Sequence, residues 1–316
     1  MLEQTSWFET RDNVKLFLRR WTPDDGIPRG VVQIVHGMAE HGLRYAETAA
    51  YLCGRGYAVW AADMRGHGRT ADLGVNPADL GGLAGHCADN KAFSKILLDV
   101  EKINSEIQKV YPALPLFLLG HSWGSFIVQG YMETFNKRRL SGCILSGTKG
   151  PGGAFVGFGA SFMTFFAAVK GVRRYSAFAQ SLADGAYNKF FRPNRTTLDW
   201  LSRDEAEVDA AIADTLRCRY CSAGFYRDMA RALQRIHRKR NIERINRNLP
   251  VYLFSGNADP VGGMGTEPTA LVDIYRKMGM KDIEFVLYPG GRHEPLHETN
   301  REEVMRNLCI WLDKHA

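Results

Sequence analysis

The chain has 316 residues, 45% hydrophobic and 24% charged, with a formal net charge of +7. Its length exceeds the usual single-domain size, and its composition supplies a large core while excluding a disordered or fibrous chain. Met1 to Ser6 carry neither a basic stretch nor an apolar run, and six scattered cysteines (53, 87, 143, 218, 221 and 309) read as reduced thiols. The expectation is a cytoplasmic protein, at most peripheral to a membrane.

In chain order, residues 12–21 read as one arm of an N-terminal hairpin. Strands are predicted at 31–35, 57–62, 115–119, 142–146, 251–255 and 283–288. Helical patterns fall at about 44–54, 89–110, 123–135, 267–278 and 301–314. Strands alternating with helices predict an α/β fold, a mostly parallel sheet covered by helices on both faces. The alternation fails from about 148 to 247, where no strand is predicted. The expected organisation is therefore a core of 1–147 and 248–316, interrupted by a helical cap at 148–247.

Gly120-His121-Ser122-Trp123-Gly124 is the most informative stretch. It follows the apolar run Leu114–Leu119 and precedes a helical pattern. Gly-x-Ser-x-Gly at a strand-to-helix switch has the form of a nucleophile elbow, in which the glycines leave room where strand and helix nearly touch. A serine hydroxyl needs a base, and the base needs a third group to orient it. Of the nine histidines, those before Ser122 violate the order serine, acid, histidine. His237 lies in a basic helical stretch, and His315 is penultimate, where chains fray. His293, at the end of a predicted strand, is preferred over His297, which reads as a surface or supporting residue. Asp259, in the loop after Val251–Phe254, is the acid; the alternative is a turn or capping residue. The oxyanion hole calls for two N–H donors. Trp123 supplies one, and Met38, in the loop after Val31–Val35, the other.

The segments HGMAEHGLRY (36–45), AADMRGHGRT (61–70), LLGHSWGS (118–125), FSGNADPVGG (254–263) and YPGGRHEPLHETNREEV (288–304) resemble the monoacylglycerol lipase and lysophospholipase group of α/β-hydrolases. The segment 186–210 is similar to the cap of bacterial members. The resemblance spans nearly the whole chain. It implies an α/β-hydrolase fold and a serine hydrolase of fatty acyl esters using Ser122, Asp259 and His293. The group usually has Asn where this chain has His297.

Two features of the cap stand apart. Gly150 to Val169 is uncharged, and its Phe155, Phe158, Phe162 and Phe166 follow helical spacing. Its glycines and Pro151 argue against a membrane span; the expectation is a lid helix whose rings line an acyl pocket or touch lipid, against plain packing of the cap. Residues 227–247 hold eight Lys or Arg against Asp228 and Glu243. Arg227, Arg231 and Arg235 share one helical face, read as a solvated surface or as a transient contact with anionic lipid. No fold or aromatic platform for nucleic acid accompanies the charge. Cys218 and Cys221 form a C-x-x-C with no second pair, so neither metal nor redox chemistry is expected. The expected function is hydrolysis of a carboxylic ester of medium or long acyl chain, without a cofactor, on a small lipid or ester substrate. A proline-releasing peptidase and a non-catalytic ligand sensor remain as alternatives.

Overall fold

The computed structural model describes residues 1–24, 26–137, 140–151, 153–175 and 185–316, with 153–160 described by backbone alone. Eight strands form one sheet: β1 (Leu2–Glu9), β2 (Lys15–Thr22), β3 (Gly30–Val35), β4 (Tyr57–Ala62), β5 (Leu116–His121), β6 (Gly142–Ser146), β7 (Val251–Gly256) and β8 (Ile283–Tyr288). Their order is β1-β2-β4-β3-β5-β6-β7-β8. β2 pairs antiparallel with both β1 and β4, and every other pairing is parallel.

Strands buried on both faces need apolar residues at both parities. In β5, Phe117 and Leu119 pack on one side with α1 (Ala46–Cys53) and α9 (Arg301–His315). Leu118 faces the other way, into a cluster with α2 (Ala92–Val110) and α3 (Trp123–Thr134). β7 repeats the pattern, with Tyr252 and Phe254 on the first side and Val251 and Leu253 on the second. A one-residue slip would exchange these sets, so the register of the central strands is fixed by packing.

Between β6 and β7 the described residues hold helices and loops: α4 (Gly153–Lys170), α5 (Glu205–Ala213), α6 (Ala223–Ile236) and the short α7 (Lys239–Ile242). Their extended pairing is confined to one isolated bridge, Tyr175 to Ser222. Asp204 caps α5 through the Ala206 N–H, and Ser222 caps α6 through the Phe225 N–H. α8 (Thr266–Lys277) returns the chain to the sheet. Among the described residues no helix is long and apolar enough to cross a membrane.

The N-terminal hairpin has arms at 2–9 and 15–22, with the turn where the sequence reading began its arm. A buried network holds this hairpin to the sheet. Arg65 pairs with Asp99 at 2.6 Å and with Asp12 at 2.5 Å, and Lys95 reaches Asp12 at 2.6 Å.

Candidate active site

The parallel strands bring their carboxyl ends to one rim of the sheet, where open α/β sheets place their ligands. β5 stops there at His121, and α3 begins at Trp123. Ser122, between them, has φ 51° and ψ −119°, a positive-φ conformation that side chains rarely adopt. The turn is tight. A Cβ on Gly120 would overlap the Gly124 carbonyl, and one on Gly124 would overlap the Val35 carbonyl. The Ser122 N–H donates to the Ser146 carbonyl at 2.9 Å, and its own carbonyl accepts from the Ser125 N–H at 2.8 Å. These bonds hold the strained turn in place.

His293 follows β8, and its Nε2 stands 2.9 Å from Ser122 Oγ. Its Nδ1 lies 3.0 Å and 3.1 Å from the two Asp259 carboxylate oxygens. A carboxylate can only accept, so Nδ1 carries the proton and Nε2 is left to accept from the serine hydroxyl. Asp259 is fully buried, and the Val261 N–H and the Ser255 hydroxyl also donate to it, at 2.8 Å and 3.2 Å. The His293 ring is flanked by His121 and Trp200, with centroids 5.0 Å and 5.1 Å away.

Burial alone would lower the His293 pKa, but the charge and hydrogen bond of Asp259 outweigh it, so the net shift is upward. Burial would likewise raise the Asp259 pKa, yet the His293 charge and the donated hydrogen bonds hold it below the usual carboxylate value.

The loop after β3 is built around buried polar groups. The Met64 N–H donates to His36 Nε2 at 2.9 Å, so the proton sits on Nδ1 and is donated to the Gly37 carbonyl at 2.8 Å. Burial pushes the His36 pKa down to about 4 and keeps the ring neutral. The Gly37 N–H donates to the Glu40 carboxylate, which also accepts from the Tyr45 hydroxyl at 2.8 Å. Met38 therefore sits in a pinned loop that lines the cavity beside Ser122. Across that cavity, the Trp123 N–H is the first of α3 and has no acceptor inside its helix.

Sequence reasoning missed several residues of this cavity: Glu40, Trp200, Leu201, Arg217 and Glu294. Glu40 carried a signal, because it lies in a post-strand loop four residues before Arg44. Trp200 and Arg217 carried none, since they come from irregular loops between helices.

Other expectations are corrected. Phe155 and Phe158 lie outside the residues whose side chains are described. Phe162 and Phe166 stack on each other with centroids 6.3 Å apart, and neither lines the described cavity at Ser122. Phe162 is instead 41% exposed on the outer side of α4. His297 is no surface residue; it is buried, and its Nε2 bonds the Arg44 carbonyl at 2.9 Å. His315 does not fray, because its ring packs on Trp311 at 4.4 Å and its Nε2 meets Asp282 at 3.0 Å. Arg227 is buried rather than solvated, held by Asp228 at 2.8 Å and by the Asp89 carbonyl at 2.8 Å.

A second Ser/His/Asp chain exists and shows what the first one has besides connectivity. His86 bonds Ser222 Oγ at 2.8 Å and Asp89 at 3.0 Å. Ser222 has an ordinary φ of −75°, is fully buried, and spends its oxygen on capping α6. It joins the insertion to the core and presents no hydroxyl to a cavity. Among the described residues the group of three metal-type ligands is Asp282, Glu284 and His315, at the opposite end of β8 from His293.

A sheet of this order, with a strained serine facing a histidine–carboxylate pair at its carboxyl rim, defines a serine hydrolase of the α/β-hydrolase class. A family model described as Hydrolase_4, serine aminopeptidase S33, matches residues 26–300, and the chain belongs to that family. It is 29% identical over 306 residues to the monoacylglycerol lipase of Mycolicibacterium smegmatis, covering 96% of this chain and 94% of that one. It is 30% identical to the monoglyceride lipase of Rattus norvegicus, covering 95% and 88%. A solved carboxyl esterase from Bacillus coagulans, in complex with glycerol, superposes with a TM-score of 0.89 at 26% identity, covering 99% of each chain. The protein is a serine ester hydrolase.

Proposed function

We propose that the protein hydrolyses carboxylic esters of medium or long acyl chain, of the monoacylglycerol or lysophospholipid kind, through an acyl-serine intermediate. The observation that carries this reading is the continuous relay from Ser122 Oγ through His293 to Asp259 on a positive-φ turn. Ser122 attacks the ester carbonyl while His293 Nε2 takes its proton and then gives it to the leaving alcohol. Asp259 fixes the ring's tautomer and stabilises the imidazolium. The N–H groups of Met38 and Trp123 receive the negative oxygen of each tetrahedral intermediate, and losing one such donor costs about 3–4 kcal/mol of barrier. Water attacks the acyl-serine by the same relay.

Residues 148–247 act as a cap that bounds the cavity and sets substrate choice. Support comes from Trp200, Leu201 and Arg217, which lie in this segment and line the cavity with Ser122. The exposed rings of Phe162 and Phe165 on α4, with Arg231 beside Phe165 in one surface groove, fit a transient contact with an anionic lipid surface from the cytoplasmic side.

A panel of p-nitrophenyl esters of increasing chain length, a proline amide and a fluorophosphonate probe tests the assignment. Labelling with multiple turnover of the longer esters is expected. Turnover of the proline amide alone would favour the peptidase, and labelling without turnover would favour a sensor.

A further inference from the structure

The cavity at Ser122 is lined by acidic side chains that are already engaged and by one basic side chain that is not. Glu294 receives both arms of the Arg44 guanidinium, at 3.0 Å and 2.8 Å. Glu40 lies 3.7 Å from the same group. Arg217 is the one Lys or Arg among the described residues lining this cavity. Among the described residues it makes no ion pair; its Nη1 reaches only the Ala211 carbonyl, at 3.3 Å. Its Nε is buried without a hydrogen-bond partner. An orphaned buried donor on a guanidinium is costly unless something arrives to accept from it.

The backbone around Arg217 is held still. On one side Asp214 bonds His41 Nε2 at 2.7 Å; on the other, the Cys218 N–H donates to the Ala39 carbonyl at 3.1 Å and its thiol to the Gly66 carbonyl at 3.2 Å. Both His41 and Ala39 belong to the loop after β3. The insertion thus plants a fork-shaped cation against that loop, in the geometry that suits bidentate recognition of a planar or tetrahedral oxyanion.

Arg217 shares the cavity wall with Glu294, the residue after His293. The leaving oxygen must lie near His293 to receive its proton. Arg217 therefore faces the alcohol portion of the ester and not its acyl chain.

We propose that Arg217 binds an anionic group, phosphate or carboxylate, on the alcohol portion of the substrate, and that the protein prefers such esters over uncharged ones of the same chain length. The proposal rests on the ester-hydrolase reading above. Phosphate and carboxylate share the chemistry that a guanidinium recognises, so the experiment separates them.

The purified protein is assayed on monolauroylglycerol, its phosphate monoester and monolauroyl glycerate, below the concentrations at which they aggregate. The wild type should favour one anionic ester over the uncharged one by about tenfold or more in kcat/KM, and which one it favours identifies the anion. Arg217→Gln should cut kcat/KM for that ester by about 10- to 100-fold, the range of a hydrogen bond to a charged group. The loss should fall in KM, with the uncharged ester within about threefold of wild type. Arg217→Lys, which keeps the charge and loses the fork, should fall between them. On the wild type, glycerol phosphate or glycerate should inhibit p-nitrophenyl butyrate turnover more strongly than glycerol does, a readout that survives even if the variants fold poorly. Equal losses on charged and uncharged esters in Arg217→Gln would overturn the proposal, as would equal inhibition by the charged and uncharged alcohols. No turnover of any ester by the wild type would instead overturn the hydrolase reading.

Discussion

The sheet and the 148–247 insertion contribute to one cavity by different physical means. The sheet positions Ser122, Asp259 and His293 at the ends of strands whose register is locked by apolar residues on both faces. The insertion contributes Trp200, Leu201 and Arg217 from loops, held by bonds such as Glu294 N–H to the Leu201 carbonyl at 2.8 Å and Cys218 N–H to the Ala39 carbonyl at 3.1 Å. Groups that must meet within hydrogen-bond distance sit on the rigid scaffold, and groups that choose among substrates sit on segments free to vary. The division predicts that substitutions in the first region abolish turnover, while substitutions in the second redistribute it among substrates.

The largest effect expected is in the core. Ser122→Ala should lower kcat by about 10⁶-fold, the scale seen when a triad nucleophile is removed, with the melting temperature near wild type. Residual fluorophosphonate labelling at another serine would break the assignment. His293→Ala should lose nearly as much. His297→Ala should keep most activity and instead lose about 1–3 kcal/mol of stability, because the buried Arg44 carbonyl is left without its donor. Asp259→Asn should fall by about ten-thousandfold. Steady-state kinetics beside thermal melts read all of these, and a His297→Ala variant as dead as His293→Ala would place the base wrongly.

The same contrast governs what the sequence discloses. Strand and helix positions in the core agree to within a few residues, because burial on both faces and the 3.6-residue period leave a direct trace in residue type. The Gly120–Gly124 turn is legible because steric overlap at both glycines forbids any other residue. Asp259 and His293 could be nominated from chain order and from their places after strands. Trp200 and Arg217 could not. Their arrival beside Ser122 depends on how a strandless segment folds back over the rim, and no periodicity encodes that. The Phe155–Phe166 stripe misled for a related reason. Helical spacing of aromatic residues specifies a face but not its direction, and Phe162 looks outward. Arg227 misled in the opposite sense. Its spacing suggested a solvated face, yet the nearby Asp89 carbonyl and Asp228 made burial affordable.

An intermediate effect concerns pH and the Trp200 ring. Protonated His293 cannot accept the Ser122 proton, so activity should fall as pH drops through its folded pKa, which lies above the ordinary imidazole value. The acid limb of kcat/KM should move to lower pH in Asp259→Asn, whose residual activity lacks the charge that raises that pKa. The shift also makes His293 a stabilising group below its unfolded-state pKa, a contribution lost as pH rises through the folded one. Trp200→Ala removes one of the two rings flanking the imidazole and should lower kcat/KM by about a hundredfold through misplacement of the base. An acid limb unmoved by Asp259→Asn would remove the Asp259 charge from the account of His293.

The smallest effects should come from α4, and they test the division most finely. Phe165 is 68% exposed and Phe162 41% exposed, so truncating either ring removes little buried area. Phe162→Ala and Phe165→Ala should each change stability by no more than about 0.5 kcal/mol. In dilute solution the ratio of kcat/KM for short and long acyl esters should stay at the wild-type value, because neither ring lines the described cavity at Ser122. If α4 meets a lipid surface, the loss appears only when substrate is presented in vesicles containing anionic lipid, and adding salt should shrink the difference by screening Arg231 and its neighbours. Co-sedimentation with the same vesicles gives the binding separately from turnover. A shifted chain-length ratio for Phe162→Ala in dilute solution would return that ring to the acyl pocket and move part of α4 from the outer surface of the insertion to its substrate-facing side.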